Sequence, residues 1–271
     1  MPDRPGEYEE SEAYMKVTEQ LWTRPLLHVI KEKLPAIEQG SALVAEARTG
    51  LLPMVWARKL PESLRIMALD PSRSMLDTAR TRLDESLQRR VFFVPQSVQG
   101  ISYADGVFHA AVCINGLLMK TECSDGMREL ARVVEPGGSL LVALPSRGSF
   151  SLCYDMLDEA LKAHQLGPSA DRLEQLQETF LEPCDLYTIA REQGLHDLEI
   201  AEHSWQIVFG SGHELFMSPL IRQTFFSHWM SIIRSTEREP IVRYMIDAVD
   251  TYFHGADIPL EVRAMTLTAR R

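Results

Sequence analysis

Apolar residues recur along this chain at two alternating spacings. Tyr14, Val17, Leu21, Trp22, Leu26, Leu27, Ile30 and Leu34 fall at helical intervals, broken by Pro25 and closed by Pro35. A short apolar run, Ala42 to Ala45, then has strand length. Leu51 to Leu60 reads as a helix that tolerates Pro53 in its first turn. Leu64 to Leu69 is a second buried strand. A helix after Asp70-Pro71-Ser72 carries Met75, Leu76, Ala79 and Leu83 on one face. Val91 to Val94, Ala110 to Ile114 and Ser139 to Leu144 are further strands, with a helix over Gly126 to Val134 and a turn at Pro136-Gly137-Gly138. Strands and helices alternating at this spacing predict an α/β fold, a parallel sheet with helices on both faces.

The pattern changes after Pro145. Residues 151–194 are helical throughout, with Leu152, Met156, Leu157, Ala160 and Leu161 on one buried face. His196 to Phe209 returns to strand. Helical stretches near 212–234 and 239–254 precede a last strand, Glu261 to Thr268. The chain divides into an N-terminal helical segment (1–39), a core (40–146), a helical insertion (147–195) and a C-terminal part of the sheet with a helical cover (196–271). Such a cover could close over a ligand cleft.

Composition narrows the functional classes. A net charge of −10 over 271 residues disfavours nucleic acid or an anionic membrane as the main partner. The polar start and the lack of a long apolar run predict no signal peptide, no membrane insertion and a cytoplasmic protein. Cys113, Cys123, Cys153 and Cys184 are scattered, which reads as reduced thiols and no metal site. His203, His213 and His228, near Trp205 and Trp229, are read as packing and helix surface, since histidines so far apart define no metal geometry.

The candidate chemistry lies in the first two strand–loop units. An α/β nucleotide-binding unit places glycines after its first strand and an acid at the end of its second, where the acid takes ribose hydroxyls. Asp70 is that acid; its alternative role is to cap the following helix. Further on, Leu69-Asp70-Pro71-Ser72-Arg73-Ser74-Met75-Leu76, Tyr103-Ala104-Asp105-Gly106-Val107-Phe108 and Glu129-Leu130-Ala131-Arg132-Val133-Val134-Glu135-Pro136-Gly137-Gly138-Ser139-Leu140-Leu141-Val142 follow one another in order. Over residues 40–145 the chain resembles the class I S-adenosylmethionine-dependent methyltransferases, type 11 group, whose motifs read D-x-S-x-x-M-L, F-x-D-G-x-F and E-x-x-R-V-L-x-P-G-G-x-L-L-V. The resemblance implies a Rossmann-like methyltransferase fold with an antiparallel last strand and S-adenosylmethionine as cofactor. It implies that Asp70 binds the ribose, that Met75 lies along the adenine, and that Asn115 faces the methyl donor or acceptor. Ser97 falls where the family commonly has an acid for the adenine amino group.

The first loop departs from the family pattern. In Ala42-Leu43-Val44-Ala45-Glu46-Ala47-Arg48-Thr49-Gly50 only Gly50 matches a family glycine. Val44 replaces the acid that anchors the donor's amino group, and Glu46 and Arg48 replace glycines. His109 stands in place of the aspartate that follows Phe108 in the family. A side chain at a glycine chosen for positive φ costs about 1–3 kcal/mol. A Glu46 carboxylate about 4 Å from the donor's own carboxylate would be repelled by about 4 kcal/mol at an effective dielectric of 20. The expectation is therefore a degraded donor site and a non-catalytic regulator, scaffold or subunit with a protein or small-molecule partner. The alternative is an active methyltransferase on a small molecule or carrier-bound acid, using a rearranged loop and working mainly by proximity. No residue is singled out as catalytic.

Overall fold

The computed structural model describes residues 5–271. The first four residues, part of the polar start noted above, lie outside them. Helix α1 (Pro5–Ala13) runs into a π-helical segment, Tyr14–Thr23, and then into α2 (Arg24–Ile30). Pro25 does not break the run as its position suggests. It falls at the junction where the π-helical bonding ends, with the Arg24 N–H donating to the Glu19 carbonyl, and α2 begins.

The strands are β1 (Ser41–Ala45), β2 (Arg65–Leu69), β3 (Val91–Val94), β4 (Phe108–Ile114), β5 (Val134–Pro145), β6 (His196–Phe209) and β7 (Ile258–Arg270). They form one sheet in the order β3-β2-β1-β4-β5-β7-β6. The first five are parallel, and β7 is antiparallel to both of its neighbours. This is the Rossmann-like methyltransferase arrangement that the motifs imply. Strand order reverses at β1, which lies between β2 and β4. The loops leaving β1 and β4 therefore diverge and open a crevice at the carboxyl ends of the strands.

Helices α3 (Leu51–Lys59), α4 (Arg73–Thr81) and α5 (Lys120–Val133) connect the parallel strands. Alternation along β1 sends Ala42 and Val44 into one core and Leu43 and Ala45 into the other, so helices cover both faces. Helix α5 begins six residues before the predicted Gly126, because the Glu122 carboxylate accepts the Met119 N–H and caps a polar first turn. The Pro136-Gly137-Gly138 turn is absorbed into β5, where the register with β4 shifts between Phe108 and Ala110.

Helices α6 (Ser151–Ala163), α7 (Gly167–Thr179) and α8 (Pro183–Glu192) lie between β5 and β6. The run predicted near 212–234 is three short helices, α9 (Gly212–Met217), α10 (Pro219–Thr224) and α11 (Phe226–Ser231), followed by α12 (Arg238–Phe253). The Ser218 hydroxyl accepts the Ile221 N–H and Pro219 opens α10, so a cap and a proline divide a continuous periodicity. Among the described residues no helix is long and apolar enough to cross a membrane.

Candidate functional site

A cleft of about 290 Å³ opens at the carboxyl ends of β1, β2, β4 and β5. Tyr14 and Trp22 of the π-helical segment form one wall, and Arg222 to Thr224 of α10 part of another. Arg48, Ser72, Met75 and Asn115 come from the loops and helix starts that follow the strands. The N-terminal segment and the cover are tied together, since the Thr18 hydroxyl donates to Gln223 Oε1 at 3.2 Å and Gln223 Nε2 donates to the Glu10 carbonyl at 3.0 Å.

Asp70 follows β2 and is fully buried. Its Oδ1 accepts the Ser72 N–H at 2.9 Å and its Oδ2 the Arg48 N–H at 2.9 Å. The cap of α4 is Ser72, whose hydroxyl accepts the Met75 N–H at 3.3 Å. Asp70 therefore does not cap the helix. It fixes the turn before the helix and holds the backbone of the first loop.

The loop after β1 keeps a glycine-type course without the glycines. Glu46 sits at φ 56° and Arg48 at φ 48°, both in the left-handed region. Non-glycine residues there cost about 1–3 kcal/mol each and persist only where their surroundings hold them. Here the holding contacts are ionic: Arg48 Nη2 lies 3.3 Å from Glu46 Oε2, and Nε lies 3.8 Å from Asp70 Oδ2. Burial raises the Glu46 carboxyl to about 7, against the pull of Arg48, and Asp70 and Glu122 add to the rise. Arg48 stays charged because Glu46 and Asp70 outweigh its own burial. Glu46 also fills the space over Gly116, where a Cβ would come within 1.9 Å of its Cγ.

Gly50, at φ 83°, ends this loop and packs so closely that a Cβ would lie 2.8 Å from the Ala79 Cβ. Its role is close helix–strand packing beneath the cleft. Asn115 follows β4 at φ 64°, a conformation that asparagine tolerates better than most residues. Its Oδ1 accepts from Trp22 Nε1, while its buried Nδ2 has no protein partner.

The structure thus brings Arg48, Met75 and Asn115 to the cleft wall, with Glu46, Gly50 and Asp70 beneath it. Ser97 is not among the residues lining the cleft; its hydroxyl turns instead to the neighbouring Gln99. The local turn over 97–100 takes up its hydroxyl and carbonyl. His109 lies at the start of β4, packed on Gly40 at the opposite end of the strand from the cleft. No group of three His, Cys, Asp or Glu side chains is placed to hold a metal ion among the described residues.

Glu19 is the residue that sequence reasoning missed. It is fully buried on the π-helical segment, where Oε2 accepts from Thr49 Oγ1 at 2.6 Å and from Arg82 Nη1 at 2.5 Å. Arg82 Nη1 also donates to the Thr49 carbonyl at 2.8 Å. The N-terminal segment is thereby bolted to the first loop and to the end of α4. Its only signal in the sequence is a charge among apolar residues of a helical run.

The residues present suit the adenosyl end of S-adenosylmethionine. Met75 and Ser72 form a mixed wall, and Asn115 Nδ2 is a buried donor without a partner. Asp70 does not itself line the cleft; the side chain of Arg48, which does, lies over it. Arg48 is the most exposed of the three charged groups, with 30% of its side chain accessible.

Comparison with known proteins agrees with this geometry. Residues 47–138 match the sequence model of a family described as a methyltransferase domain. A ubiquinone/menaquinone biosynthesis C-methyltransferase, UbiE, of Azotobacter vinelandii is 30% identical over 141 residues, which cover 50% of this chain and 54% of that protein. The enzyme of the same name from Legionella pneumophila (strain Lens) is 30% identical over 103 residues, covering 38% of this chain and 41% of its own. The chain thus spans about half the length of the curated relatives it matches. Among solved structures, the YcgJ protein of Bacillus subtilis superposes with a TM-score of 0.59 at 11% identity, covering 92% of this chain and 98% of that one. A Haemonchus contortus phosphoethanolamine N-methyltransferase 2 in complex with S-adenosyl-L-methionine gives 0.57 at 13% identity, covering 97% and 57%. At these identities the superpositions show a shared fold.

Proposed function

We propose that the chain, whose residues 47–138 match a family described as a methyltransferase domain, is a class I S-adenosylmethionine-dependent methyltransferase that methylates a small-molecule acceptor in the cleft described above. The observation that carries this reading is the open cleft at the strand ends, walled in part by Ser72, Met75 and Asn115. S-adenosylmethionine, when bound, supplies a methyl group on a sulfonium, and the acceptor loses a proton as it gains that methyl. The chain's own residues bind and orient. Asp70 would take the ribose hydroxyls once the Arg48 guanidinium turned away from it, Met75 would pack on the base, and Asn115 Nδ2 would donate to an acceptor atom beside it. Trp22 and Tyr14 exclude water from above.

Arg48 is the adaptable part. In its inward position it neutralises two buried acids. Turned outward it uncovers Asp70, and the ribose hydroxyls replace the lost contacts at a net cost of about 1–3 kcal/mol. The rearranged first loop thus supports an active enzyme with weakened donor binding.

One observation favours a second reading, a non-catalytic protein of the same fold: both Asp70 oxygens already have partners within the chain. Calorimetric titration with S-adenosylmethionine and S-adenosylhomocysteine separates the two. Saturable binding with methyl transfer to a small-molecule acceptor is the expected result. No heat of binding at millimolar donor overturns the enzyme reading and leaves the second.

A further inference from the structure

Helices α9, α11 and α12 leave an open groove of about 430 Å³ on the cover. Met217 of α9, Phe226 and Met230 of α11, and Val242 and Ile246 of α12 line it. Phe226 and Met230 are four residues apart, as are Val242 and Ile246, so each pair shares one helix face. Met230 is buried, whereas the other four are only partly buried against the core. Apolar side chains turned together into an open groove mark a surface for an apolar ligand or partner. Two of the five are methionines, whose unbranched side chains adapt to a flexible chain.

The charge around this groove is opposite to that of the chain. The chain carries a net charge of −10, yet the groove's rim sets Arg222, Arg238 and Arg243 against Glu239. Glu239 is taken by Arg243 at 2.7 Å. Arg238 donates from Nε to the Ile233 carbonyl at 3.1 Å. Arg222 lies over the Phe226 ring, with Cζ 4.9 Å from the ring centroid, and its Nη1 meets the Met217 sulfur at 3.5 Å. Among the described residues neither Arg222 nor Arg238 forms an ion pair with a carboxylate. Stacking on Phe226 therefore holds an exposed, uncompensated guanidinium at the groove wall.

We propose that this groove binds a free single-chain alkyl carboxylate, its chain along Met217, Phe226, Val242 and Ile246 and its carboxylate on Arg222. Two observations choose that occupant. The apolar lining fits a hydrocarbon chain, and the cationic rim fits an anion, which a guanidinium can take through two N–H groups. The size agrees, since the groove has nearly three times the roughly 150 Å³ that holds benzene in another protein, room for a chain of about ten carbons. Arg222 also lines the cleft, so the bound carboxylate lies at the border between groove and cleft. This binding does not rest on the methyl-transfer reading.

The test is calorimetric titration of the full chain with decanoate, hexanoate and decyltrimethylammonium, each below its micelle concentration. Decanoate should bind at least about tenfold more tightly than either of the others, because the short chain buries less surface and the cation gains nothing from Arg222. Arg222→Gln should remove the preference for decanoate over the cation. Val242→Asp with Ile246→Asp, both partly exposed on α12, should abolish decanoate binding, and the milder Val242→Ser with Ile246→Ser should weaken it at least about tenfold. Melting temperatures check that these variants fold. No saturable decanoate binding, equal affinity for hexanoate or for the cation, or a preference that survives Arg222→Gln overturns the proposal. Decanoate binding unchanged by the substitutions at Val242 and Ile246 also overturns it, since the carboxylate then uses the cleft side of Arg222. Sedimentation of the same samples covers the remaining occupant: a dimer that dissociates on substitution at Val242 and Ile246 shows a second copy in the groove and likewise overturns it.

Discussion

Arg48 rests on Asp70 twice, through its backbone N–H at 2.9 Å from Oδ2 and through its guanidinium Nε at 3.8 Å from the same oxygen. The backbone contact builds the loop, and the side-chain contact covers the acid. Only the second must break for Asp70 to meet a ribose. Glu46→Gly with Arg48→Gly removes the cover and the neighbouring carboxylate while preserving a backbone that glycine adopts freely. The double variant should bind S-adenosylmethionine at least about tenfold more tightly by calorimetry. Unchanged affinity would show that something other than these side chains limits the cleft.

Glu46 gives the fold an uncommon pH response. Its carboxyl is raised from 4.5 to about 7 in the folded chain, first by burial. The folded state therefore holds this proton more tightly than the unfolded state. Stability from the group is fully present below about pH 4.5 and declines as pH rises, until it is lost above about pH 7. The span corresponds to about 3 kcal/mol for this group alone. Denaturant unfolding at pH 5 and pH 8 should show Glu46→Gln losing less stability with rising pH than the native chain. Equal slopes would mean that Arg48 keeps Glu46 ionised throughout.

The sheet was legible because its signals are local. Short apolar runs such as Ala42 to Ala45, and the motif ending in Pro136-Gly137-Gly138, report strands and turns without reference to distant residues. The acid at Asp70 and the misfit at Glu46 and Arg48 could be read from spacing alone. What those side chains do could not, because Arg48 has two acids to choose between and only the folded loop brings both within reach. Ser97, reached by counting back from Phe108, does not line the cleft, because a neighbouring side chain takes its hydroxyl, which no spacing reveals. Glu19 was hidden in a run whose periodicity reads as plain packing. Its partners Thr49 and Arg82 lie 30 and 63 residues away.

The Glu19 contacts make a stability prediction. Arg82 pairs with Glu19 through both guanidinium nitrogens, at 2.5 and 3.0 Å, and the acid is fully buried. Arg82→Ala leaves that charge with Arg24, 3.2 Å away, as its remaining cation. Removing one partner of a buried pair costs about 3–5 kcal/mol, and solvent access to Arg82 lowers that to about 2–3 kcal/mol. Denaturant unfolding should show this loss. Glu19→Gln should cost less, because an amide needs no counter-charge and still accepts from Thr49. If both substitutions are within error of the native chain, the N-terminal segment is not held to the loop through these charges.

Gly116 couples the loop after β4 to the loop after β1. A Cβ there would meet Glu46 Cγ at 1.9 Å and Cδ at 2.7 Å. Gly116→Ala must therefore displace Glu46, with the loss of the Arg48 ion pair, at about 1–3 kcal/mol. In a Glu46→Gly background the same alanine meets no carboxylate side chain and should cost well under half as much. The difference between the two costs, measured as a double-mutant cycle by denaturant unfolding, is the coupling between the loops. A coupling near zero would mean that Glu46 leaves Gly116 readily, so that the first loop already moves in the native chain. A coupling of about 1 kcal/mol or more would make Gly116 a sterically required partner of the substituted loop. The glycines missing at 46 and 48 would then be compensated across the cleft by one at 116.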